Sequence, residues 1–123
     1  MPLKYLIDEN LRGDLADSLR LAARARGTDL DLLQVGDPDA PPLSTVDPDL
    51  LRWCEQHDRT LISRDFRTLP QHLADHRAAG GFSPGIFLIR AGHPWHEVLD
   101  DLILLAFAAA PQEVRNLTRY VPL

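Results

Sequence analysis

The stretch "KYLIDENLRGDLADSLRLAARARG", Lys4 to Gly27, changes period partway along, and that change decides the fold. Leu3 to Ile7 is a short apolar run bounded by polar residues, suited to a central buried strand. From Leu11 to about Ala25, by contrast, Leu11, Leu15, Leu19, Ala22 and Ala23 recur at helical spacing. Arg12, Asp17, Arg20 and Arg24 fall mainly elsewhere, and Gly27 is a stop for that helix. The two patterns meet at adjacent carboxylates, Asp8 and Glu9, where burial should be greatest. A functional site and a solvated strand end both account for them.

The alternation continues along the chain. "DLDLLQVG" reads as a second strand and is followed by "GDPDAPPLSTVDP", Gly36 to Pro48, whose prolines keep the backbone out of regular structure. A loop this long is uncommon in a small domain and is often functional. Pro48 suits the first position of a helix capped by Asp47, with Leu50, Leu51, Trp53 and Cys54 on its buried side. "RTLIS" is a third strand, and Thr68 with Gln71 makes a capping-box pattern for a helix reaching about Ala79. "GIFLI" is a fourth, almost wholly apolar strand. After Gly92, Pro94 opens the longest helix, with Trp95, Val98, Leu99, Leu102, Ile103, Ala106 and Ala109 along one face. Leu104, Leu105 and Phe107 widen that face, so it either meets a partner subunit or lies deep in the core. Val114 to Leu123 would add an edge strand. Strands alternating with helices imply an α/β fold around a mostly parallel sheet of four or five strands.

At 123 residues the chain is expected to be one domain, residues 1–123, large enough to bury a core without staples. The lone Cys54 excludes an intramolecular disulfide framework and reads as a buried structural thiol. No apolar signal core opens the chain, and no apolar run approaches the roughly 20 residues of a membrane span. A cytoplasmic protein without membrane contact is the expectation. The net charge of −5 speaks against polyanion binding by the surface as a whole, but leaves room for a local basic rim. Lys4 is the only lysine beside 12 arginines, a bias that suits bidentate phosphate contacts.

In parallel sheets, ligand sites form beyond the carboxyl ends of the strands. Asp8 and Glu9 follow the first strand there and Asp65 follows the third, while Asp47 joins them only if the proline-rich loop folds over that rim. Several carboxylates close together repel unless protons or a cation neutralise them. Oxygen-only ligands suit Mg²⁺ or Mn²⁺, and such a cation can orient water for attack on a phosphodiester. Capping accounts for Asp47 as well, and exposed strand ends account for Asp8 and Asp65. Glu9 would alternate to the other side, and Asn10 either caps the first helix or holds a water on the ion.

These residues carry a resemblance. "YLIDENL", with asparagine two residues after aspartate, resembles the first strand of PIN-like domains. "TVDPDLLRWCEQHDRTLISRDF" and "SPGIFLIR" resemble the next blocks of a compact, VapC-related PIN-like subfamily, in the same order, so the similarity covers about residues 3 to 90. It implies a three-layer α/β/α fold and a metal-dependent ribonuclease, commonly the toxin of a type II toxin–antitoxin pair. Its substrate would be RNA, its cofactor Mg²⁺ or Mn²⁺, and its partners a small antitoxin and a second copy in a homodimer. Asp8, Asp47 and Asp65 match the acidic catalytic and metal positions, with Asn10 and Ser63 as supporting polar groups. The fourth acid of many PIN domains is missing, since Phe66, Arg67 and Thr68 occupy its stretch, so either Glu9 or Asp49 substitutes or the site binds metal weakly.

Arg12, Arg64 and Arg67 lie beside these acids in sequence and are candidates for RNA-phosphate contacts, with surface ion pairing the alternative. His72 and His76, or His93 and His96, lack the third ligand a zinc site requires. Trp53 and Trp95 are assigned to the core, with base-stacking platforms the alternative. A phospho-receiver domain would need a lysine near a late strand end, which Lys4 cannot supply, and a haloacid-type phosphotransferase would need aspartate where Asn10 stands. The remaining rival is a non-catalytic interaction module that keeps a PIN-like shell.

Overall fold

The computed structural model describes residues 2–123. Its strands are β1 (Tyr5–Ile7), β2 (Leu32–Gln34), β3 (Thr60–Ser63), β4 (Ile86–Ile89) and β5 (Thr118–Val121). The helices are α1 (Asp14–Ala25), α2 (Asp47–His57), α3 (Leu69–Ala78), α4 (Trp95–Ala108) and the single turn α5 (Pro111–Val114). All strands run parallel in one sheet ordered β2-β1-β3-β4-β5, with the tail forming the edge strand expected of it.

Period-2 alternation divides each strand between two helical layers. Tyr5, Ile7, Ile62 and Phe87 pack against Leu15 and Leu19 of α1 and Val98, Leu102 and Ala106 of α4. Leu6, Leu61, Ile86 and Leu88 pack against Leu50, Leu51 and Cys54 of α2 and Leu69 and Leu73 of α3. Both faces are covered, which is why the strands read as continuous apolar runs. The arrangement fits the α/β/α architecture expected of a PIN-like chain.

The placement of α4 was not legible in its pattern. The crossovers through α2, α3 and α4 all step the same way across the sheet, yet α4 lies on the face opposite α2 and α3. Its crossover therefore has the opposite hand to theirs, against the general preference for a single hand. The Tyr5 hydroxyl donates to the Leu102 carbonyl at 2.6 Å and the Leu3 amide to the Ala106 carbonyl at 2.8 Å, tying α4 over β1 beside α1. Its broad apolar surface is split: Val98, Leu102, Ile103, Leu105 and Ala106 are buried, while Trp95, Leu104 and Phe107 are exposed. Assignment of Trp95 to the core is thus overturned. Trp53 is half-buried against the α2–α3 layer and stacks on His57. Cys54 is buried, and desolvation pushes its thiol up to about 12, as suits a structural thiol.

Three local expectations fail for identifiable reasons. The first helix starts at Asp14, not Leu11, because Asp8 accepts from the Glu9 amide to cap a 3-10 turn and Gly13 (φ +128°) reorients the chain. Val46, not Asp47, precedes α2: its carbonyl accepts from the Leu50 amide at 2.9 Å, leaving the Asp47 carboxylate free of capping. Thr68 and Gln71 form no capping box, since the Thr68 hydroxyl turns to carboxylates and Gln71 donates to Asp75 at 2.9 Å.

Across the far end of the α2–α3 layer, Glu55 links three segments. Its Oε1 accepts from the Phe82 amide and faces His76 Nε2 at 3.0 Å. The amide bond, then the neighbouring imidazole, hold the Glu55 carboxyl below its usual 4.5. A depressed folded value contributes stability that is present above pH 4.5 and lost as the pH falls through the folded value. Glu55→Gln is expected to lower the urea midpoint at pH 7 and to match the wild type at about pH 3. A gap of equal size at both pH values would refute the charged latch.

Candidate active site

The strand order reverses between β1 and β3, and there the carboxyl ends open a crevice. Asp8 leaves β1 at this point, with its amide donating to the Ile62 carbonyl at 2.8 Å. Ser63 ends β3 alongside, fully buried. The Ser63 hydroxyl donates to Asp8 Oδ2 at 2.7 Å and accepts from Asn10 Nδ2 at 3.2 Å and the Asp65 amide at 3.1 Å. Those bonds use its one donor and both acceptor sites. Asn10 Oδ1 accepts from the Arg64 amide at 3.4 Å, closing the crevice behind Ser63.

Asp65 sits in a tight turn in which its Oδ1 accepts from the amides of Arg67 (3.2 Å) and Thr68 (3.1 Å). Its Oδ2 accepts from the Thr68 hydroxyl, whose oxygen also lies 3.5 Å from Asp47 Oδ2. One hydroxyl thus faces both acids. His72 Nε2 stands 3.7 Å from Asp47. Asp47 reaches this rim because the proline-rich loop is pinned over it at two points. Arg12 donates to the Val35 carbonyl (2.8 Å) and Asp37 (3.1 Å), and Glu9 accepts from the Ser44 amide at 2.6 Å. Gly36 turns the loop with φ +98°, where a Cβ would come within 2.7 Å of Leu43.

The electrostatics separate the acids. Burial pushes the Asp8 carboxyl above its usual range; hydrogen bonds from Ser63 and Glu9 oppose this, and the charges of Asp47 and Asp65 add to it. Asp65 is held below the usual range, chiefly by the Thr68 hydroxyl and then by the Thr68 and Arg67 amides. Asp8 thus has neutral donors and like-charged neighbours, a setting that a hard cation would relieve.

The structure therefore gathers Asp8, Asp47, Asp65, Asn10 and Ser63 on one rim. It does not bring in the substitutes for a fourth acid. Glu9 is spent on the Ser44 amide, and Asp49 pairs with Arg52 one turn along α2. Arg12 anchors the loop instead of presenting a phosphate contact, while Arg64 remains exposed and Arg67 lies over the Phe66 ring. Thr68 and His72 are the site residues that sequence reasoning missed, Thr68 being assigned to a cap and His72 being weighed only as a zinc ligand and set aside. The three-residue interval from Asp65 to Thr68, suited to a local carboxylate turn, was the available signal. Among the described residues no three His, Cys, Asp or Glu side chains stand close enough to form an all-protein ion cage.

Ser63→Ala tests this network. It strips Asp8 Oδ2 of its donor inside a buried site and leaves Asn10 and the Asp65 amide without an acceptor. The expected cost is about 1–3 kcal/mol in urea unfolding at pH 7. A loss within experimental error would mean that water replaces the hydroxyl freely. No family model matches this chain, and neither a curated protein nor a solved structure matches it.

Proposed function

We propose that this chain is a PIN-like, Mg²⁺- or Mn²⁺-dependent RNA endonuclease and the toxin half of a type II toxin–antitoxin pair. One observation carries the reading: Asp47 and Asp65 face one hydroxyl, that of Thr68, while Ser63 ties the Asp8 carboxylate to the Asp65 backbone amide, so acids from separate segments line the β1–β3 crevice. The donors are all oxygen, which suits a hard cation. Mg²⁺ keeps several waters and needs only one or two carboxylates besides substrate phosphate, so it does not require a closed protein cage. Asp8 would hold the ion directly, with Asp47 and Asp65 reaching it directly or through water. When bound, such an ion would supply positive charge beside the phosphodiester and orient a water for attack.

The chain's own groups do the remainder. Ser63 and the Glu9 amide fix the orientation of Asp8. Thr68 holds Asp65 toward Asp47, and exposed Arg64 at the rim would meet a phosphate. A small antitoxin would cover this acidic crevice or the exposed Leu104 and Phe107 of α4, a surface that would also serve a homodimer.

A non-catalytic interaction module is favoured by a different observation, the diversion of Glu9 and Asp49 away from the crevice. Titration of Mg²⁺ and Mn²⁺ against cleavage of single-stranded RNA, with Asp65→Asn alongside, decides between the readings. Saturable metal-dependent cleavage in the wild type, lost in Asp65→Asn, supports the nuclease. Calorimetry showing no metal uptake, together with no cleavage, would leave only the module.

A further inference from the structure

Beside the acidic crevice, past β4 and β5, lies a groove of about 570 Å³ lined by Arg64, Phe66, Arg90, His93, Trp95 and Tyr120. It is neither core nor an ordinary polar rim. Phe66, Trp95 and Tyr120 are 57 %, 42 % and 44 % exposed, an unusual concentration of aromatic rings in a chain with few of them. The rings come from three different segments: the turn after β3, the start of α4 and β5. The Arg90 guanidinium lies 4.9 Å from the Tyr120 ring centroid, and Arg67 lies 5.9 Å from that of Phe66.

We infer that this groove is a subsite for single-stranded nucleic acid, in which unpaired bases stack on Trp95, Phe66 or Tyr120 while Arg64 and Arg90 meet the phosphates. Base stacking on exposed aromatic rings between arginines is the chemistry by which proteins hold single strands without reading sequence. Charge favours this occupant: the lining of the groove holds two arginines and no acid, in a chain of net charge −5. Continuity favours it too. Arg64 and Phe66 flank Asp65, so a strand stacked in the groove passes its backbone over the carboxylates. A duplex keeps its bases stacked on each other and cannot offer these faces. The inference rests on the nuclease reading and deepens it by naming residues outside the crevice that hold the strand.

The test is fluorescence anisotropy with a labelled single-stranded RNA of about ten nucleotides, in EDTA so that no cleavage occurs. Because all three rings are exposed, Trp95→Ala, Phe66→Ala and Tyr120→Ala should leave the circular dichroism and melting of the protein unchanged. Trp95→Ala and Arg90→Ala are each expected to weaken binding roughly tenfold, with Trp95→Phe retaining most of the affinity. Quenching of tryptophan fluorescence by the RNA should disappear in Trp95→Phe although binding persists, and a blunt duplex of the same sequence should bind more weakly. Unchanged affinity in folded Trp95→Ala and Phe66→Ala would overturn the inference. So would unchanged RNA affinity combined with loss of self-association or of a co-purifying protein, which would make the groove a protein-docking surface. Binding that depends on the groove, in a protein that cleaves nothing with any metal, would leave the subsite standing and the nuclease reading refuted. Metal-dependent cleavage untouched by the groove variants would do the reverse.

Discussion

Asp8→Asn is expected to lower metal-dependent RNA cleavage by about a thousandfold while leaving the protein folded and at least as stable as the wild type. Asparagine keeps the shape of the side chain and an oxygen for the Ser63 or Glu9 donor, but removes the charge that would hold the ion. The stability half follows from the direction of the Asp8 shift. Its carboxyl is raised above the usual value, first by burial and further by Asp47 and Asp65. A raised acid binds its proton more readily when folded, so its contribution is most favourable at low pH and is lost as the pH rises through the folded value. At neutral pH the ionised carboxylate works against folding, and neutral asparagine relieves it, the trade of stability for activity common at functional sites. Cleavage by the mutant at the wild-type rate would discard the assignment of Asp8. A sharp fall in melting temperature would show that the carboxylate serves the fold instead.

The largest effect on stability is expected from Phe87→Ala. Phe87 is fully buried in the inner strand β4, meets Tyr5 edge-on with ring centroids 5.9 Å apart, and packs beneath α4. Deleting the ring removes its transfer free energy and leaves a cavity that rigid neighbouring strands cannot close, for a loss of about 3–5 kcal/mol. Against the 5–15 kcal/mol typical of a domain this size, that is a large share of the total. Tyr5→Phe is the graded control. It keeps the ring contact and deletes only the bond to the Leu102 carbonyl, for a loss of about 1 kcal/mol. Urea unfolding of the two variants should show midpoints well separated at similar slopes. Equal losses would mean that the hydroxyl tie, and not the packed ring, holds α4 on its face of the sheet.

Much of this architecture was legible because local pattern carries it. The unbroken apolar residues of β3 and β4 signal strands covered on both faces, and helical periodicity between strands signals crossovers, so a parallel α/β sheet follows without knowledge of any distant contact. The acids at the ends of β1 and β3 were legible for the same reason, since parallel strands place all their carboxyl ends on one rim. The course of the proline-rich loop was less so. Whether Asp47 reached that rim depended on Arg12 and Glu9, residues that had been read as phosphate and metal candidates and that serve as anchors instead.

What the chain determined by itself is the order of its elements, the burial of its strands and the single rim shared by Asp8, Ser63 and Asp65, all set by periodicities within a few neighbouring residues. Only the tertiary structure decided the face taken by α4, the freedom of Asp47 from capping, the use of Thr68 as a link between two acids and the exposure of Trp95. The physical reason is the same in each case. A hydroxyl, carboxylate or ring acquires its role from whichever groups folding brings within about 3–4 Å, and the deciding partner, as for Thr68 with Asp47 or Tyr5 with Leu102, lies 21 or 97 residues away in sequence.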